Sequence, residues 1–279
     1  DGALYAVAGC VRYDPDDTWL DGEDRPFTPR AYYTTGGSSK FFGGTAFRFR
    51  QEDFRERDHG EGRTVPWPIG YDDLAPYYDA AEEAMRVHGL AGADLSEPPR
   101  APYPWEPLES EPPIAWLADR LRSQGLHPFP LPIAVHQGNR GNCRKGSPCD
   151  GFPCKIRAKG DGENAFLRPA MRAERGIELE TESYVERFGH DEEGRRVTEA
   201  IVRRADGSRE VVRGELFVVA AGAVNSAALL LRSGSNRYPQ GLANGSDLVG
   251  RFFMAHNNTV LMALSPFRRN STQFQKTIP

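Results

Sequence analysis

The chain has 279 residues, 39% of them hydrophobic and 27% charged, with a formal net charge of -4. That length supports one large or two modest domains with a real core, and the acidic balance argues against a general electrostatic grip on nucleic acid. No apolar run approaches the roughly 20 residues that span a bilayer. No basic-then-apolar leader opens the chain, and cysteines at 10, 143, 149 and 154 do not suggest a disulfide scaffold, so a cytoplasmic protein is expected.

Residues 12–35, rich in Asp, Pro, Gly and Tyr, read as irregular loops. Next comes "TTGGSSKFFGGTAFRFR" (Thr34–Arg50), with two Gly-Gly pairs around a polar and aromatic stretch. Such a loop can offer backbone N–H groups and hydroxyls to a phosphate or a flat ring, or be a plain turn before a strand "TAFRFR". It lacks the Gly-Lys-Ser/Thr ending of a Walker loop, so an ATPase is not supported.

"WPIGYDDLAPYYDAAEEAMRVHGL" predicts a helix with Asp72 as N-cap and Pro76 in its first turn. Leu74, Tyr78, Ala81 and Met85 make its apolar face, and Gly89 supplies the stop. Proline-rich residues 91–113 read as an extended excursion, and "IAWLADRLRSQGL" as a second helix ending near Gly125.

A Gly-rich segment at Gly138–Pro153 carries Cys143 and Cys149, with Cys154 just after it. No C-x-x-C pair is present and His136 is the one nearby histidine, which argues against zinc. Three thiolates are the donor type of an iron–sulfur cluster, but a local disulfide or three free thiols fit the stretch better. "GDGENA" (Gly160–Ala165) matches the dinucleotide pattern G-x-G-x-x-G/A formally. "CKIRAK" precedes it instead of an apolar strand, so the match is rejected. "ENAFLRPAMRAERG" predicts a short helix closed by Gly176.

From Ile177 the pattern turns to β. "IELETE", "YVERFGH", "VTEAIVRRA" and "EVVRG", with turns "DEEGR" and "ADGSR", predict an antiparallel meander feeding a buried strand "LFVVAA". "AAGAVNSAALLLRSG" then reads as a tight turn into a helix. Ala220, Ala221, Gly222 and Ala223 have almost no side chain, so a ligand could approach the backbone, and Asn225 or Ser226 could cap the helix. His256 is expected to be structural. The whole predicts an α/β fold with α+β elements.

These blocks, in this order, resemble the glucose–methanol–choline oxidoreductases, FAD-dependent enzymes that oxidise alcohols and sugars. "GGSSKFFGGT" is similar to that family's loop over the flavin, and "AAGAVNSAALLLRSG" to its second signature, with Ala227 where Pro or Ser is usual. "DLVGRFFMAH" is similar to the turn leading to a histidine, here followed by Asn257 in place of Pro. The resemblance implies an incomplete Rossmann-like FAD-binding domain with a β-meander and part of a substrate-binding domain. It implies four regions: a flavin-covering loop region at 1–50, a helical substrate-side insertion at 51–142, the FAD-binding domain with its meander at 143–252, and the start of a substrate-binding domain at 253–279.

By the same resemblance, Gly36, Gly37, Ser38, Phe42, Gly43 and Thr45 would lie along the flavin or its diphosphate. Val185 would meet the adenine through its backbone, with Ala221, Gly222 and Ser226 beside the adenosine half. Phe41 stands where some members tether FAD through histidine, implying non-covalent FAD. The implied reaction removes the proton of an alcohol or sugar hydroxyl while hydride passes to flavin N5. The catalytic residues and the fingerprint βαβ unit are expected beyond Pro279 and before Asp1. The chain would then be an internal fragment, inactive alone. "CDGFPCKIRAK" is similar to sugar-dehydrogenase large subunits, which pass electrons to a partner. The rival expectation is a flavin-free binding or scaffold protein that keeps a remnant of the fold.

Overall fold

The computed structural model describes residues 19–27, 32–60, 62–137, 142–146, 149, 151–173, 176–253, 264, 266–267 and 269–274. His256, Asn257, parts of the predicted 12–35 loops and parts of the Gly138–Pro153 segment lie outside them. The chain divides into one unit of residues 1–177 with 265–279 and another of residues 178–264. Among the described residues no helix is long and apolar enough to cross a membrane.

In the first unit, β1 (Trp19–Leu20) pairs antiparallel with β2 (Pro26–Phe27). The Gly-rich segment forms one 3-10 turn, Gly37–Lys40, entered through Gly36 in the left-handed region. The expected strand "TAFRFR" does not form. Only Thr45 bridges, to Ile133, and Phe47 and Phe49 are exposed, since no second strand lies along them among the described residues.

Helix α1 (Tyr71–Met85) has Gly70 as its N-cap instead of Asp72. The Gly70 N–H donates to Asp73 Oδ2 at 2.8 Å, so the carboxylate of the third helical residue satisfies the end group from inside the helix. Pro76 sits inside the helix beyond its first turn, and Arg86, left-handed at φ 57°, ends it before Gly89. The predicted face is correct: Leu74, Tyr78, Ala81 and Met85 are half-buried beside buried Tyr71 and Glu82. β3 (Val87–His88) follows and pairs antiparallel with β4 (Ile133–Ala134). Between them runs α2 (Pro112–Arg122), which starts on two prolines where missing N–H groups cost nothing. A π-helical turn, Glu163–Leu167, leads into the short α3 (Arg168–Arg172). The core gathers Leu108, Ile133, Val135 and Phe274.

The second unit is the expected meander: β5 (Ser183–His190), β6 (Val197–Arg204) and β7 (Arg209–Arg213), antiparallel in that order. The predicted turns hold. Asp191 Oδ1 accepts the Arg195 N–H at 2.7 Å, and Arg204 N–H donates to Ser208 O at 2.9 Å. "IELETE" is not a strand. Neither is "LFVVAA", and it is not buried: Leu216 and Val218 are 82% and 79% exposed. Phe217 and Val219 on the alternate face pack against Phe188, Ala200, Val202, Leu229 and Leu242. The segment is extended, yet among the described residues no strand pairs with it. Helix α4 (Ala223–Arg232) follows, and Ser233 ties its end to β5 by accepting the Phe188 N–H at 2.9 Å.

Candidate functional site

The predicted site residues fall into two groups, one in each unit. In the first unit Ser38 and Thr45 are exposed, while Gly36, Gly37, Phe42 and Gly43 are half-buried, so the loop keeps one side open. Phe41 turns the other way: it is buried and stacks on Tyr32, ring centroids 3.8 Å apart. Gly44 O accepts from Ala134 N at 2.7 Å and Ala46 N donates to Pro132 O at 2.9 Å, which docks the loop's exit on β4.

What seats the loop was not foreseen. The rejected "GDGENA" stretch is no dinucleotide fingerprint, but it packs directly on the loop. Gly162 N–H donates to Ser39 Oγ at 2.9 Å, and Ser39 Oγ donates to Gly36 O at 2.5 Å. Lys40 Nζ bridges fully buried Asp161 at 3.1 Å and Glu163 at 2.6 Å. Burial opposes the Glu163 charge, but Lys40 and Arg168 outweigh it and hold that carboxyl below its ordinary value. Gly160 must be glycine for space, because a Cβ there would lie 2.2 Å from the Met85 carbonyl oxygen. Lys159, 3% exposed, puts Nζ among the carbonyls of Lys40, Phe42, Cys149 and Phe152. These partners lie over a hundred residues from the loop, so no local pattern announces them; a Lys beside a Gly-Asp-Gly run was the one available hint.

In the second unit Val185 lies on β5 opposite Val202, next to a bulge, with its side chain against the core. Ala221 and Gly222 are exposed at the start of α4. Gly222 is the N-cap at φ 85°, ψ 164°, a conformation essentially reserved for glycine, and a Cβ there would meet nothing within 4 Å. Neither Asn225 nor Ser226, the two expected candidates, caps the helix with its side chain. The Ser226 Oγ accepts the Ala221 N–H at 3.1 Å and fixes the turn from within the helix. A cavity of about 500 Å3 in this unit is lined by His190, Arg195, Arg196, Phe217 and Tyr238 among others, and none of the predicted residues lines it.

Cys143, Cys149 and Cys154 form no disulfide with one another and line one cavity of about 310 Å3 in the first unit, together with Gly43, Phe152 and Lys159. Among the described residues no three His, Cys, Asp or Glu side chains come together as a metal site. Cys149 Sγ instead contacts Gly146 O at 3.2 Å, and Cys154 Sγ accepts the Ala158 N–H at 3.3 Å.

A sequence model of the family described as GMC oxidoreductase matches residues 123–258. The chain is 35% identical to paromamine 6'-oxidase of Streptomyces fradiae over 85% of its own length and 43% of that protein. It is 29% identical to 2-methyl-1,2-propanediol dehydrogenase of Mycolicibacterium austroafricanum, over 90% of this chain and 46% of the other. It is also 29% identical to the fructose dehydrogenase large subunit of Gluconobacter japonicus, over 88% and 46%. The chain thus spans less than half the length of the curated relatives it matches. The crystal structure of pyridoxine 4-oxidase from Mesorbium loti superposes with a TM-score of 0.52 at 21% identity, covering 83% of this chain and 43% of that one; the two share a fold.

Proposed function

Since the chain belongs to the GMC oxidoreductase family, we propose that its protein is an FAD-dependent oxidoreductase acting on a CH–OH group of a sugar or another small alcohol. The observation that carries this is the open turn at Ala221–Gly222. Its backbone carries only the Ala221 methyl, a Cβ on Gly222 would meet nothing within 4 Å, and the positive end of α4 lies beside it. Those features fit a dinucleotide-type cofactor. In this reading FAD, when bound, accepts the hydride from the substrate carbon.

The residues of this chain bind and orient. Gly36, Gly37, Ser38, Phe42, Gly43 and Thr45 would offer backbone and hydroxyl groups along the flavin or diphosphate. Val185, Ala221, Gly222 and Ser226 would hold the adenosine half. On this reading the general base that takes the hydroxyl proton would come from a part of the protein other than residues 1–279. Non-covalent binding is supported by Phe41, which has no nucleophile and is turned into the core. The sugar and polyol names of the relatives support the substrate class. Because oxidases and dehydrogenases both occur among them, oxygen and a partner protein are the two candidate electron acceptors.

The test is to purify the protein in its natural reading frame. Yellow protein that is bleached anaerobically by a sugar or small alcohol, and that releases its FAD on acid precipitation, is the expected result. Colourless protein that takes up no FAD would favour the flavin-free scaffold instead. Flavin that stays with the precipitate would contradict non-covalent binding, and an absence of iron in anaerobic preparations would remove the cluster reading of the cysteines.

A further inference from the structure

Lys159 is not used by the function proposed above, and its surroundings are unusual for a lysine. Its side chain sits among four backbone carbonyl oxygens: Phe42 at 2.7 Å, Cys149 and Phe152 at 2.9 Å each, and Lys40 at 3.2 Å. An ammonium has three N–H donors, so four oxygens around it resemble the coordination of a bare monovalent cation more than a set of directed hydrogen bonds. The Phe42 ring adds its face, with the centroid 5.7 Å from Nζ. A buried charge is tolerated only when it is matched in this way.

The two sides of the cage are distant in sequence. Lys40 and Phe42 belong to the Gly-rich loop, whereas Cys149 and Phe152 belong to the thiol-bearing segment. Between those two loop carbonyls, Phe41 O accepts the Gly151 N–H at 2.9 Å, so the loop also touches the thiol segment directly. Because the trans peptide is planar, fixing these carbonyls also fixes the direction of the N–H groups that follow them. Lys159 itself is held firmly. It bridges to Val135 in antiparallel register, and Gly160 N–H donates to Ala134 O at 3.0 Å.

We infer that Lys159 is a positioning residue: its ammonium acts as a built-in monovalent cation that clasps the Gly-rich loop to the thiol segment, and its charge sets the backbone of Lys40–Gly43. The consequence for cofactor binding rests on the reading of that loop as the flavin cover. The clasp itself does not.

The experiment replaces the charge and keeps the volume. In the protein carrying this chain, Lys159→Met should raise the rate at which Cys149 and Cys154 react with a disulfide reagent by about tenfold or more, and speed amide exchange at residues 41–46 to a similar degree. Lys159→Ala should do the same, and added propylammonium should restore protection where propanol does not. Should a variant fail to fold, refolding Lys159→Ala with propylammonium against propanol makes the same distinction. Thiol and exchange rates within about twofold of the parent in Lys159→Met, or equal rescue by the neutral alcohol, would overturn the inference. Neither readout involves flavin. A moved loop with unchanged FAD affinity would therefore uphold the clasp and count against the flavin-cover reading alone.

Discussion

Glu82 accepts from two buried arginines at once. Arg48 reaches it through Nε at 2.8 Å and Nη2 at 2.7 Å, and Arg100 through Nη1 at 2.9 Å and its second nitrogen. The side chains of Arg48 and Arg100 are 2% and 1% exposed. Arg48 also binds Asp79, whose side chain is 49% exposed. Removing the Glu82 charge takes away the carboxylate that the two buried guanidiniums share, leaving Arg48 with half-exposed Asp79 and Arg100 with Glu97 at 3.2 Å. Glu82→Gln should therefore lower unfolding stability by about 3–5 kcal/mol, as breaking one partner of a buried pair does. Asp79→Asn, with one face in water, should cost about 1 kcal/mol or less. Urea titrations of the two variants, followed by tryptophan fluorescence, check the contrast; equal losses would mean that the cluster does not depend on Glu82.

At the scale of elements, what could be read in the sequence was what repeats locally. Helix α1 showed in its 3.6-residue spacing, and the β5–β6–β7 meander in short β runs separated by Asp-Gly and Glu-Gly turns. The ends of elements were harder. A carboxylate at Asp73 satisfies Gly70 from inside the helix, and Arg86 adopts the left-handed turn that glycine was expected to supply. "LFVVAA" misled because an apolar run looks the same whether or not another strand lies beside it. Of the candidate site, the Gly-rich loop and the Gly222 turn were visible as small residues, whereas the Lys159 cage and the Lys40–Asp161 pair depend on contacts between distant segments. β3 carries its own consequence. Burial, only partly opposed by the Glu106 and Val135 carbonyls, holds the His88 imidazole below its ordinary pKa, and burial with the nearby Arg86 and His88 charges does the same for His136. Unfolded, both bind protons near pH 6.5. In the window just below that, the unfolded chain holds more protons than the folded one, so stability is complete above it and falls as pH drops through it. Denaturation midpoints should decline between pH 7 and 5, and His88→Gln should flatten that slope; an unchanged slope would remove His88 from the account.

At the scale of the molecule, Leu216 and Val218 matter for how the polypeptide behaves in a tube. They project two apolar side chains from an extended stretch with no paired strand among the described residues. The isoelectric point of about 5.9 means that near pH 6 no net repulsion keeps such stretches apart. Residues 1–279 expressed as an isolated polypeptide should therefore show a turbidity maximum near pH 6, made worse by sulfate and relieved at pH 8. Val218→Lys, which alters the outward face and leaves Phe217 and Val219 in the core, should suppress it, as light scattering can record. The row of small and apolar residues that marks the turn toward α4 is thus also a colloidal liability, one that formulation has to manage before any spectroscopy is attempted.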